Sequence, residues 1–234
     1  MPKLVERIRA AAFDLDGTLV DSAADLAAAA NSTLEALGFY PLTERQIESL
    51  IGDGIERLVA AALAESAGCA PRQGTVATAL ELFSRRYAEQ LFVRSSVYPG
   101  VVEGLGSLDA LGIKLCCITN KRSAFTLPLL DAAGLADRFA LVLCADRPEQ
   151  RKPAPDLLIE ACAHFGVRPE ELLYVGDSRA DVAAARAANC PVAAVDYGYS
   201  GGRTVADADP DWIIASFVDL LTLPAIRRSA DAQV

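Results

Sequence analysis

The chain has 234 residues, of which 52% are hydrophobic, and it carries a formal net charge of -9. A chain of this length and composition can bury one substantial core and a smaller second one. Its negative charge argues against binding to nucleic acid or to an anionic membrane, so a small anionic ligand would need a locally positive pocket.

The first ten residues, MPKLVERIRA, mix charges of both signs and lack the apolar segment of a signal peptide. No later segment is long and uncharged enough to span a bilayer, so we expect a cytoplasmic protein. Six cysteines are present without a CxxC pair, and Cys116 and Cys117 are adjacent in an apolar run. We predict reduced thiols in the core rather than a metal site.

The first predicted strand, AAFDL, ends where Asp14 and Asp16 stand two positions apart. From about residue 22 to residue 90 the pattern is helical, and no strand is predicted. Helices are expected near residues 22–37, after Thr43, at 55–66 and at about 75–90. This stretch therefore predicts a helical insertion directly after the first strand.

Two helix starts in the insertion have the spacing of a capping box. Ser22 is followed three positions later by Asp25, and Thr43 is followed at the same distance by Gln46. In a capping box the first side chain accepts from the backbone of the second residue, whose side chain accepts in return. Both pairs are therefore predicted to begin helices.

Beyond the insertion, short apolar runs alternate with helical segments. The runs are IKLCCIT, FALVLC, LLYVGD and CPVAAVD. Strand and helix in alternation predict an α/β fold with a parallel, Rossmann-like sheet. We assign the core to residues 1–18 and 92–234 and the helical cap to residues 19–91, with hinges near 18–22 and 91–98.

Polar residues follow the predicted strands at their carboxyl ends, which share one edge of a parallel sheet. The set comprises Asp14, Asp16, Thr119, Asn120, Lys152 and Asp177. Carboxylate oxygens suit Mg²⁺, which often sits beside a substrate phosphate, and a lysine would offset charge on that phosphate. The pattern predicts a phosphoryl-transfer site.

Four segments in order resemble the motifs of the haloacid dehalogenase superfamily. They are DLDGTLVDS, TNK, KPAP and GDSRADV. Within that superfamily, IGDG in the cap, YPGV at its exit and the late YGYSGG are similar to segments of bacterial phosphoglycolate phosphatases. The resemblance covers nearly the whole chain and implies an α/β core with a helical cap.

The resemblance also implies roles for the polar residues. Asp14 would attack phosphorus and form an aspartyl-phosphate, while Asp16 would protonate the leaving group and later deprotonate water. The implied Mg²⁺ ligands are the Asp14 carboxylate, the Asp16 backbone carbonyl and Asp177. The implied phosphoryl ligands are the Thr119 hydroxyl, the Asn120 backbone and Lys152.

Some assignments stay open between two interpretations. Asp181 has the spacing of a capping box with Ser178, and it could equally orient Lys152 or metal-bound water. Gly52 and Gly54 could shape a turn or form a cap loop that covers the active site and binds substrate. Possible cap contacts with substrate are Arg45, Asp53 and Arg57, and the single histidine, His164, is expected to be structural or solvated.

We expect hydrolysis of 2-phosphoglycolate to glycolate and phosphate by a monomer or homodimer. Pyrophosphate, a phosphosugar or an amino-sugar phosphate remain alternative substrates, and phosphosugar mutation remains an alternative reaction. A dehalogenase is disfavoured because it has no need of Asp16 or Mg²⁺. A noncatalytic binding module is disfavoured by the complete set of acids, hydroxyl and lysine.

Overall fold

Six parallel strands form the central sheet of the protein in a computed structural model that describes residues 7–199 and 205–231. The strands in chain order are β1 (Ala10–Phe13), β2 (Val20–Asp21), β3 (Ser96–Val97), β4 (Lys114–Thr119), β5 (Leu141–Cys144), β6 (Leu172–Gly176), β7 (Val192–Val195) and β8 (Trp212–Ile214). The sheet has the order β5-β4-β1-β6-β7-β8, and its pairings are all parallel. The predicted α/β fold is confirmed, whereas β8 was not predicted.

Nine α-helices accompany the strands within the described residues. They are α1 (Ala23–Ala36), α2 (Glu44–Glu48), α3 (Ile55–Ala67), α4 (Gln73–Glu89), α5 (Val101–Ala110), α6 (Ser123–Ala132), α7 (Asp156–Phe165), α8 (Arg179–Ala188) and α9 (Pro224–Asp231). Every helix within residues 7–199 and 205–231 is too short or too polar to traverse a bilayer.

Strand β1 lies at the centre of the sheet because its side chains are apolar on both faces. Phe13 belongs to the core that faces α5, while Ala12 belongs to the core that faces α7 and α8. The adjacent cysteines follow the same alternation: Cys117 is in the first core and Cys116 in the second. All six cysteines are free, but Cys69 is exposed, so its prediction as a core thiol was wrong.

Helices α1 to α4 lie between β2 and β3 and share a third hydrophobic cluster. Amphipathic helices bury their apolar stripes against one another, and here the buried side chains include Leu34, Leu63 and Phe83. The cluster also contains Phe125, which comes from α6 on the core side. Helices α1 to α4, called the cap below, therefore share a cluster distinct from the two that flank the sheet. The division into a core of residues 1–18 and 92–234 and a cap of residues 19–91 stays a prediction.

The two connections to the cap pair with each other. Strands β2 and β3 form a short antiparallel ribbon with Val20 opposite Val97. The Asp25 carboxylate, at the start of α1, accepts hydrogen bonds from the backbone N–H groups of Arg94 and Ser95 and from the Ser95 hydroxyl. The predicted Ser22–Asp25 capping box is therefore wrong, because Asp25 binds the second connection, whereas the Thr43–Gln46 box is present.

Candidate active site

The carboxyl ends of three neighbouring strands bring the predicted site residues together. Asp14 follows β1, Thr119 ends β4, and Asp177 follows β6. The loop before α7 adds Lys152, whose ammonium lies 2.7 Å from Asp14 Oδ1. Strand order places β1 between β4 and β6, so these residues meet although they are distant in the chain.

Lys152 is the positive centre of a buried network. Its ammonium is 2.7 Å from Asp181 Oδ1 and donates to the Tyr174 hydroxyl at 2.9 Å. Burial alone would lower the pKa of Lys152, but the charges of Asp14 and Asp181 raise it above its ordinary value. The lysine is therefore a permanent cation at this edge of the sheet.

The two carboxylate oxygens of Asp181 have different partners, one at the start of α8 and the other around Lys152. Oδ2 accepts from the backbone and hydroxyl of Ser178, which complete the capping box of α8. Oδ1 accepts from Lys152 and from the Tyr174 hydroxyl. The charge of Lys152 lowers the pKa of Asp181 although burial opposes this, so Asp181 stays ionised and fixes the lysine.

Three buried carboxylates lie close enough to share a cation. Oxygens of Asp14, Asp177 and Asp181 lie within 4.8 Å of one another. Burial raises the pKa of Asp14 to about 7 despite Lys152, and burial with the neighbouring acids raises that of Asp177 well above its ordinary value. Burial thus disfavours the charged forms of Asp14 and Asp177, and a divalent cation bound between them would favour those forms.

The contacts indicate which of these acids suit a metal. Asp14 Oδ1 is buried and forms no hydrogen bond of good geometry, so its contact with Lys152 is an ion pair only. Asp177 accepts one hydrogen bond on each oxygen, from the Thr18 hydroxyl and the Tyr199 backbone. Each oxygen of Asp181 accepts two hydrogen bonds, whereas each oxygen of Asp177 accepts one and can still bind a cation. Asp14 and Asp177 therefore fit a hard cation best.

Two glycines allow the backbone to pack directly against Asp177. A Cβ on Gly17 would lie 2.5 Å from Asp177 Oδ2, and the residue has a φ of +83°. A Cβ on Gly198 would overlap the side chain of Asp177 and the carbonyl of Gly17. Both positions therefore require glycine. Gly198 belongs to the YGYSGG segment, whose last three residues lie outside the described residues.

Asp16 has partners that the sequence did not indicate. Both of its carboxylate oxygens accept from the ammonium of Lys121, at 2.8 and 2.9 Å, and one also accepts from the Ser22 hydroxyl. Burial would lower the pKa of Lys121, but the charge of Asp16 raises it above its ordinary value. Lys121 also lies over the ring of Tyr87 from α4, 4.9 Å from its centroid. Asp16 is thus fixed by a buried ion pair.

Asn120 joins the core to the cap loop. Its side-chain amide donates to the carbonyl of Gly52 at 2.9 Å, and its side-chain oxygen accepts from the backbone of Lys152 at 2.8 Å. The Thr119 hydroxyl accepts from the Lys121 backbone and lines the cleft between core and cap. The predicted role of the Asn120 backbone stays a prediction, whereas its side chain has a structural role.

A further contact between cap and core is formed by an acid that was not predicted. Glu56, at the start of α3, forms ion pairs with Arg122 and, at 2.5 Å, with Arg151. Burial would raise the pKa of Glu56, but a backbone hydrogen bond and the two arginines lower it. The predicted contacts differ: Arg57 and Asp53 pair with each other on the exposed surface. Arg45 is also exposed.

The cleft between cap and core is narrow. Its lining residues are Asp14, Asp16, Leu26, Ile51, Gly52, Gly54, Ile55, Leu58, Thr119, Asn120 and Lys121. The free space is about 30 Å³, which is room for about two water molecules. Gly52 and Gly54 line this cleft together with Asp14 and Asp16, and their role in binding substrate stays a prediction.

The architecture and motifs match known proteins over most of the chain. The family model of haloacid dehalogenase-like hydrolases matches residues 11–195. The chain belongs to this family. A phosphoglycolate phosphatase of Nitrosospira multiformis is 45% identical over 95% of this chain and 97% of its own. One from Salmonella choleraesuis is 37% identical, over 100% of this chain and 99% of its own.

Solved structures of related proteins have the same fold as this chain. The crystal structure of a predicted phosphoglycolate phosphatase from Haemophilus somnus has a TM-score of 0.87, with 33% identity, and covers 94% of this chain and 99% of that one. Like these relatives, the haloacid dehalogenase-like chain is a phosphoric monoester hydrolase.

For a haloacid dehalogenase-like hydrolase, the residues that sequence reasoning missed are Lys121, Tyr199 and Glu56. Lys121 was visible as the last letter of TNK, but its partner Asp16 is 105 positions away. The Tyr199 hydroxyl accepts from the backbone of Ser22 and Ala23 and donates to Asp21, so it holds the first cap connection beside Asp177. Such contacts depend on the fold and have no local signature.

Proposed function

We propose that the protein hydrolyses 2-phosphoglycolate to glycolate and phosphate through an aspartyl-phosphate. The observation that carries the proposal is the buried cluster of Asp14, Lys152 and Asp177 at the edge of the sheet, beneath a small cleft closed by the cap. The phosphoglycolate phosphatases that match nearly the whole chain support this substrate. A narrow cleft also favours a compact anion over a sugar phosphate.

In the proposed first step, a carboxylate oxygen of Asp14 attacks phosphorus and the bond from phosphorus to the glycolate oxygen breaks. Asp16 donates a proton to that departing oxygen. In the second step, Asp16 takes a proton from water as the water oxygen attacks phosphorus, which releases phosphate and regenerates Asp14. Lys121 and Ser22 hold Asp16 in one position for both proton transfers.

The residues around Asp14 would hold the transferring group. Lys152 and the Thr119 hydroxyl would bind phosphoryl oxygens, and Asp181 would keep Lys152 in place. Asp14 and Asp177 would hold Mg²⁺, with the backbone carbonyl of Asp16 as a further predicted ligand. When bound, the ion neutralises charge on the phosphoryl group as the nucleophile approaches.

The substrate is tested by a panel of small phosphates ranked by kcat/KM. The panel comprises 2-phosphoglycolate, pyrophosphate, a hexose phosphate and an amino-sugar phosphate, each assayed for phosphate release with and without Mg²⁺. We expect 2-phosphoglycolate to rank first. A kcat/KM at least tenfold below that of another member would reject this substrate and leave the phosphatase chemistry in place.

Magnesium binding should strengthen as the pH rises from 5.5 to 8. The pKa of metal-free Asp14 is raised from 3.8 to about 7, so a proton must leave before the ion binds. For the same reason, the metal-free protein should lose stability as the pH rises through this window, because the buried carboxyl is forced to ionise.

The shift in melting temperature on adding Mg²⁺, compared with EDTA, measures both effects. We expect a larger shift at pH 8 than at pH 5.5, and we expect Asp14→Asn to remove most of the difference. An equal Mg²⁺ shift at both pH values would show that binding of the ion does not displace a proton from Asp14 in this pH range.

We further propose that residues 19–91 act as a cap that opens to admit substrate, with the paired connections β2 and β3 as the hinge. The free space of about 30 Å³ supports this, because a phosphate ester cannot enter while the cleft is closed. Contacts that join cap and core would set the balance between closed and open states.

Glu56→Gln should shift this balance towards the open state. The change weakens two ion pairs with Arg122 and Arg151 that cross from cap to core. Because the groups are partly exposed, we expect the ratio of closed to open molecules to fall by only about 2- to 10-fold. Fluorescence transfer between dyes on Cys69 and on an Ala163→Cys variant reports the distance between cap and core.

The matched control is Asp53→Asn, which breaks an ion pair with Arg57 that stays within the cap. High salt should lower transfer in the parent and the control but change the Gln variant little. Equal transfer efficiency in the Gln variant and the parent, at low salt, would refute the role of Glu56.

A further inference from the structure

Lys121 is a buried cation that lines the cleft beside the nucleophile. Its side chain is 3% exposed, yet it is among the residues that line the cleft. Within the described part of the chain, it is the only lining residue with a positive charge. Lys152, which would bind the phosphoryl group, contacts Asp14 but is not among the residues that line the cleft. A second anionic group of a substrate would therefore meet Lys121 first.

The ammonium of Lys121 has capacity for another partner. It has three N–H donors, and the two oxygens of Asp16 are its hydrogen-bond acceptors in the structure. The ring of Tyr87 covers it from the cap side, and the buried Tyr87 hydroxyl forms no hydrogen bond of good geometry. A carboxylate placed in the cleft would accept a charge-assisted hydrogen bond from the third donor.

We propose that Lys121 binds the carboxylate of the substrate and thereby sets the preference for a phosphate ester with an acidic tail. This inference rests on the proposed function. Because Tyr87 belongs to α4 of the cap, the carboxylate site is complete only when the cap is closed. Lys121 is thus a specificity residue, in addition to holding Asp16.

The test compares two substrates that differ only in the tail. In 2-hydroxyethyl phosphate a hydroxymethyl group replaces the carboxylate of 2-phosphoglycolate, and the departing alkoxides have similar basicity. The ratio of the two kcat/KM values isolates recognition of the carboxylate, because a change in proton transfer lowers both values together. The parent enzyme should favour 2-phosphoglycolate strongly.

Lys121→Met should lower the ratio by about 10- to 100-fold, the usual value of a hydrogen bond to a charged group. Lys121→Arg keeps the charge and should retain part of the preference. Ser22→Ala is the control, since it removes a different contact of Asp16 without changing charge. It should lower kcat/KM for both substrates by the same factor and leave the ratio unchanged.

If Lys121→Met lowers kcat/KM by the same factor for both substrates, the proposal is overturned and Lys121 is only a positioning residue for Asp16. A parent enzyme without preference for the carboxylate would also overturn it. If the proposed substrate is wrong, the panel of small phosphates described above will show another compound with a higher kcat/KM than 2-phosphoglycolate. If the Met variant does not fold, as judged by circular dichroism, Lys121→Gln provides the same comparison.

Discussion

Asp14→Asn is expected to abolish phosphate release, with a loss on the order of 10⁴- to 10⁶-fold in kcat, as for other catalytic nucleophiles. The amide keeps the shape of the carboxylate but has no anionic oxygen to attack phosphorus. Lys152 and Asp177 stay in place, so the variant should still bind a phosphate ester. Steady-state phosphate release and equilibrium binding of 2-phosphoglycolate separate the two effects.

The fold of the Asn variant should survive. Asp14 Oδ1 forms no hydrogen bond of good geometry, and burial opposes ionisation of this carboxyl. The free energy of unfolding without Mg²⁺ should therefore change by no more than about 1 kcal/mol. Asp196→Asn, at an exposed position after β7, is the matched control and should keep full activity. Turnover by Asp14→Asn at more than a hundredth of the parent rate would contradict a covalent mechanism.

Lys152→Met is expected to lower the free energy of unfolding by about 3 to 5 kcal/mol. The lysine is buried between Asp14 and Asp181, 2.7 Å from an oxygen of each. Its removal leaves two buried carboxylates without their cation, and one of them also caps α8. Turnover should fall as well, since the phosphoryl group loses a fixed positive charge. Urea denaturation at pH 8 in EDTA measures the stability.

A double variant shows whether the loss arises from unpaired charge. Lys152→Met with Asp181→Asn should recover part of the lost stability, because one uncompensated carboxylate is gone. Lys114→Met is the control, since this lysine is exposed and its ammonium donates to the carbonyl of Phe165. A Lys152→Met protein as stable as the Lys114→Met protein would mean that the buried pairs contribute nothing to folding.

The parts of the fold that local pattern determines could be predicted from the sequence. The strand that precedes Asp14 is apolar on both faces, as a central parallel strand must be, and Asp177 follows a strand of the same kind. Gly17 indicates the tight turn after Asp16, and its φ in the structure is positive. These features depend on neighbours in the chain, so the sequence alone indicates them.

The parts that depend on distant partners could not be predicted. Ser22 and Asp25 have capping-box spacing, but the Ser22 hydroxyl donates to Asp16 instead. The Asp25 carboxylate accepts from the backbone of residues 94–95. Strand β8 has only three residues at the sheet edge, too few for a periodic pattern. The partners of Glu56 are 66 and 95 positions away. Tertiary contacts compete with local signals in each case.

The paired connections β2 and β3 have a kinematic consequence. Two separate linkers would let a rigid body twist and slide as well as swing, whereas a hydrogen-bonded ribbon resists shear between its strands and leaves bending as the soft motion. Asp25 adds a clamp on residues 94 and 95. The cap would therefore move along one arc and return Gly52 to the same place above Asn120 at every closure. Closure would then cost little orientational entropy.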